Sequence, residues 1–109
     1  MIAKIIKALE EICFSVHAYL SEEGSDQTTL LVIFKKRSFI ITLLKSGDQV
    51  LVTVDTGRQI ERGLPCIRRT KFGSIQGGAT WYLQYTVVDE IDPRENLEAL
   101  LKEAFFLSC

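Results

Sequence analysis

Three runs of aliphatic and β-branched residues stand almost back to back in the middle of the chain: TTLLVIF (28–34), SFIITLL (38–44) and QVLVTV (49–54). Each has the length of a strand. Only KKR separates the first two, and only KSGD the second two, both compact turn signals. Links this short make the sheet antiparallel, so the runs read as a meander of strands at about 28–35, 38–45 and 49–54.

The flanks supply what such a sheet packs against. Over residues 2–13, Ile2, Ile5, Ile6, Leu9, Ile12 and Cys13 recur with helical spacing, and Lys4, Lys7, Glu10 and Glu11 take the opposite side. FSVHAYLS then alternates, giving a strand at about 15–20, and EEGSDQ reads as a turn with Gly24 free to take positive φ. WYLQYTVV (81–88) alternates again, with Trp81, Leu83, Tyr85 and Val87 on one face. DPRENLEALLKEAFF opens with Asp92 as helix cap, Pro93 in the first turn and Glu95 in the capping-box position. Its stripe is Leu97, Leu100, Leu101, Ala104 and Phe105, which predicts a helix over 93–107. The expected fold is α+β, a single domain over 1–109. An antiparallel sheet of four to five strands carries both helices on one face as a two-layer sandwich. Residues 55–79, punctuated by Gly57, Gly63, Pro65, Gly77 and Gly78, read as a loop.

At 109 residues, with 47% apolar and 25% charged residues, the chain can bury a core without metals or disulfides. No run approaches the ~18 apolar residues of a membrane span, and Lys4, Lys7, Glu10 and Glu11 interrupt any signal-peptide core. A cytoplasmic protein with no membrane partner is expected. Cys13, Cys66 and Cys109 lie far apart, and His17 is the one histidine. That set lacks metal-ligand spacing, so no metal and no cofactor are expected. A nucleophile built from Cys13 or Cys66 with His17 has no visible third partner, and no catalytic residue is assigned.

The stretch GSIQGGAT (73–80) matches a phosphate-binding loop at Gly73, Gly78 and Thr80, but Ala79 stands where that loop needs Lys. A phosphate loop also feeds a helix N-terminus, whereas this stretch feeds a strand. A glycine-rich loop entering a strand is the expectation. Just before it, Arg58, Arg62, Arg68, Arg69 and Lys71 stand against Glu61 alone, while the charged residues of 89–103 are mostly acidic. Arginines for phosphates, with Phe72, Trp81 or Tyr82 for stacking, would make a nucleic-acid contact. With a net charge of −1, nucleic acid is the alternative and not the leading partner.

The central runs are aliphatic on both faces, and two helices cover only one. Leu31, Ile33, Ile40, Leu44 and Leu51 are the residues expected on the uncovered side. A patch of that size is covered by something: the 55–79 loop, a second copy of the chain, or a protein client. LEEICFSVHAYLSEEG followed by LLVIF, two more strands, a further strand and DPRENLEALLKEAF resembles the bacterial sensory-transduction-regulator-like proteins, which have the fold of type III secretion chaperones. The resemblance implies a small, cytosolic, often dimeric protein that binds protein segments without catalysis. It differs from secretion chaperones in its near-neutral charge and in having the glycine-rich 55–79 where they carry a helix. The expected function is therefore non-enzymatic protein binding through the apolar sheet face, as a chaperone- or adaptor-like homodimer.

Overall fold

The computed structural model describes residues 1–18, 26–59, 73–77 and 80–107. Helix α1 (Ile2–Ile12) leads into strand β1 (Ser15–Ala18). Strands β2 (Gln27–Phe34), β3 (Arg37–Ser46) and β4 (Gln49–Gln59) follow, then β5 (Gly73–Gly77), β6 (Thr80–Val88) and helix α2 (Arg94–Leu107). All neighbours pair antiparallel in one sheet of order β1-β2-β3-β4-β6-β5. The fold is the expected two-layer α+β sandwich, with six strands where four to five were expected.

That extra strand corrects the reading of 55–79 as a loop. Residues 55–59 prolong β4, and 73–77 form β5, which pairs with β6 from Gly73↔Gln84 to Gly77↔Thr80. GSIQG has little intrinsic strand preference; its pairing with β6 makes it a strand, an override that local pattern does not reveal. GSIQG is thus a strand paired with β6, and Thr80 opens that partner strand. A helix N-terminus, which a phosphate cradle requires, does not follow it.

Side-chain alternation divides the sheet. Leu30, Val32, Phe34, Phe39, Ile41, Leu43, Val50, Val52, Val54, Leu83 and Val87 are buried on the inner face. Ile5, Ala8 and Leu9 of α1 and Leu97, Leu100, Leu101 and Ala104 of α2 close over them. Ala8, buried at 7% exposure, belongs to the α1 stripe although its small side chain is easily passed over. The helix layer is tied down by polar contacts. Asn96 Nδ2 donates to the Tyr85 hydroxyl of β6 at 2.9 Å, and Arg94 pairs with Glu11 of α1 at 3.2 Å. The backbone N–H of Arg94 donates to Asp92 Oδ1 at 3.1 Å, the contact expected of a capping aspartate.

The β2–β3 hairpin turns on Lys35 and Lys36, at φ 50° and 68°. Two-residue turns of this hand match the twist of the strands but favour Asn and Gly, because a Cβ crowds the backbone there. Lys35 is partly repaid by its ammonium lying 5.5 Å from the Phe34 ring centre and 5.6 Å from that of Phe105. No such contact involves Lys36 among the described residues. Lys36→Gly is expected to raise the unfolding free energy by about 0.5–1 kcal/mol, read by chemical denaturation.

Candidate functional site

The residues opposite the helices form the outer face. Register fixes its rows. Leu31 pairs with Ile40, Ile33 with Ser38, and Leu44 with Leu51. All five aliphatics expected on the uncovered side therefore lie on one face, in two groups. Between the groups runs a polar row: Thr29 opposite Thr42, Thr42 opposite Thr53, and Thr53 opposite Gln84. Gln84 Nε2 donates to Thr53 Oγ1 at 3.5 Å. Leu31, Ile33 and Leu51 are half-buried, whereas Ile40 is 48% and Leu44 43% exposed. The described parts of 55–79 lie within the sheet, so they extend this face sideways and do not cover it.

Charge separates the two sides of the molecule. Among the described residues, Asp55 is the only Asp, Glu, Lys or Arg on the outer face of β1, β2, β3, β6 and β4 from Gln49 to Asp55. The rest is Ser, Thr, Gln, Tyr82, His17 and aliphatics. The helices instead present Lys4, Lys7, Glu10 and Glu11 from α1, and Arg94, Glu95, Glu98, Lys102 and Glu103 from α2. A quarter of the whole chain is charged, so a face this poor in charge departs from an ordinary solvated surface. Depletion of charge is the compositional mark of an interface core.

Asp55 sits where the sheet opens. The β3–β4 register ends at Ile41↔Val54, and β4 shifts register against β6 between Asp55 and Gln59. A cavity of about 340 Å³ lies between the diverging strands, lined by Arg37, Ser38, Phe39 and Ile40 on one side and Asp55, Thr56 and Gly57 on the other. Asp55 Oδ1 accepts a hydrogen bond from the Gly57 N–H at 2.8 Å, a short-range turn that helps hold Gly57 at φ 69°. Thr56 is buried at 1% exposure. Sequence reading missed this site, because the bulge interrupts alternation just where a period is sought. The dipeptide Thr-Gly after a Val-rich run was its one signal.

The other candidate residues do not converge. Burial raises the Cys13 thiol from 9.0 to about 11. Cys13 packs in the core under the sheet, while His17 pairs with Leu31 on the outer face, so the sheet separates them. At pH 8 the folded chain should hold about 100-fold less Cys13 thiolate than the unfolded chain, with a matching drop in labelling rate by a thiol reagent in a Cys66→Ser, Cys109→Ser background. The raised value also means that this contribution to stability is complete below pH 9 and is lost as pH climbs from about 9 to 11. Arg62, Arg68, Arg69 and Lys71 lie outside the described residues, and of Arg58 only the main chain, in β4, is described. Among the described residues no group of three or more His, Cys, Asp or Glu could hold a metal ion, and no helix is long and apolar enough to cross a membrane. No family model, no curated protein and no solved structure matches the chain significantly.

Proposed function

We propose that this chain is a non-enzymatic protein-docking module whose outer sheet face seats a second copy of itself. The observation that supports this is the near absence of charge on a face that carries exposed Ile40 and Leu44, set against the charged helix layer behind it. Area sets the strength. Six residues from each of β2, β3, β4 and β6 and the four of β1, rising ~3.3 Å each with strands about 4.8 Å apart, give a face of roughly 440 Å², about 900 Å² over two copies. That lies just under the lower bound of about 1,000 Å² for a stable specific interface and points to a weak, concentration-dependent dimer. Aligned packing, with strands within about 30° of one another, is the usual geometry of two sheets that meet face to face. The element order that resembles dimeric, segment-binding chaperones suits the same reading. The test is multi-angle light scattering during size-exclusion chromatography over a range of loading concentrations. A mass moving from 12.3 kDa towards twice that value is expected, and 12.3 kDa at every concentration up to the millimolar range overturns the proposal.

A further inference from the structure

The cavity beside Asp55 is a gap in the sheet. β3 and β4 stay paired from Ser46↔Gln49 to Ile41↔Val54 and part beyond it, so among the described residues 37–40 and 55–57 have no ladder partners across the cleft. The change of register against β6 carries β4 away, with Gly57 at φ 69° inside it. We propose that this cleft binds a primary ammonium on a short alkyl stem, the chemistry shared by a lysine side chain and a free diamine, with Asp55 as its counter-ion. The site belongs to the single chain and goes beyond the docking of a second copy.

The sign of the ligand follows from Asp55, a half-buried carboxylate on a face otherwise poor in charge. Among the described residues it makes no ion pair, and the Gly57 N–H that donates to it takes Oδ1, at 2.8 Å. Arg37 lines the same cavity, but alternation puts it on the helix side of β3 with Phe39 and Ile41. Its guanidinium is held towards α2, 4.6 Å from the Phe105 ring centre, with Nη1 donating to the Phe105 carbonyl at 3.4 Å. Oδ2 of Asp55 is left to a cation from outside, and a partly enclosed carboxylate attracts one more strongly than a carboxylate in open water.

The form of the cation follows from the acceptors. A guanidinium seeks both oxygens of a carboxylate, and one of them is taken here. An ammonium is a compact charge whose donors lie in no fixed plane. Oδ2 accepts from one of them. The Ser38 hydroxyl, and the main-chain carbonyls that a continued β3–β4 ladder would have used, are the acceptors in the same cleft for the others. Phe39, buried, and Ile40, half exposed, give the stem apolar walls. A volume of about 340 Å³ stands at the small end of ligand sites and suits one linear chain.

The test follows the amide resonances of the isotope-labelled full chain during titration, at a protein concentration where light scattering gives the monomer mass. The probes are N-acetyl-lysine methylamide and 1,5-diaminopentane, with N-acetyl-norleucine methylamide as the same stem without its charge. The amides of Ile40, Thr56 and Gly57 should shift and saturate with the lysine probe at a dissociation constant of about 1–10 mM, and the norleucine probe should bind at least about tenfold more weakly. Asp55→Asn keeps the oxygen that accepts from Gly57 and removes the charge, so it should weaken the lysine probe by at least about tenfold in a chain that is still folded. Tighter binding of the lysine probe than of the diamine assigns the cleft to a lysine of a protein partner, and the reverse order assigns it to a free diamine. Equal binding of the norleucine probe, unchanged binding in Asp55→Asn, or no saturable shift of these amides with either ammonium overturns the site.

Discussion

Replacing Leu43 with Ala lowers the unfolding free energy by about 3–5 kcal/mol, while replacing the adjacent Leu44 with Ala changes it by less than about 0.5 kcal/mol. The two residues are chemically identical and lie on opposite sides of β3. Leu43 is fully buried between the sheet and the helix layer, and truncation there loses the transfer energy of its methyl groups and opens a cavity that packed neighbours only partly fill. Leu44 is 43% exposed in the single chain. The comparison belongs in urea denaturation at low micromolar protein, where association adds little to stability. Similar losses at both positions would mean that the outer face is as deeply packed as the core.

Ile40→Glu combined with Leu44→Glu weakens self-association by at least about 100-fold and leaves the fold intact. Both side chains are exposed in the single chain, so each carboxylate is solvated before association and stripped of water by it. In a face-to-face pair the two substitutions introduce four carboxylates into a surface on which, among the described residues, Asp55 is the one native acid of each copy. Ile40→Val with Leu44→Met, which keep the face apolar, should cost less than tenfold. The readout is the light-scattering mass against concentration, with circular dichroism as the control for folding. Unchanged dimerisation of the glutamate pair would move the docking surface elsewhere.

The meander was legible because each link between β2, β3 and β4 is too short for any other pairing. Both helices were legible from stripes at helical spacing, and Asp92 announced the start of α2 by the chemistry of its carboxylate. The outer aliphatics were legible as well, since no strand can turn both Leu30 and Leu31 to the same side. β5 was not, because Gly73 and Gly77 carry no strand signal and their order comes from partners on β6. The cavity beside Asp55 was hidden for a related reason. A change of register is a relation between strands, and it leaves no trace in the period of either one. Nor did hydropathy alone disclose the poverty of charge on the outer face, which emerges only once alternate residues of five strands are laid side by side.

The helix layer is assembled from distant parts of the chain: α1 precedes every strand and α2 follows them all. During synthesis the meander of β2, β3 and β4 can therefore pair while α2 is still inside the ribosome. Its inner face, with Leu30, Ile41, Leu43 and Val52, then waits under α1 alone until Leu97, Leu100, Leu101 and Ala104 have emerged. For that interval the nascent chain is apolar on both sides of its sheet. A message that stalls after Val88 yields a product with a bare hydrophobic layer, a substrate for holdase chaperones and a seed for aggregation, however stable the finished domain is.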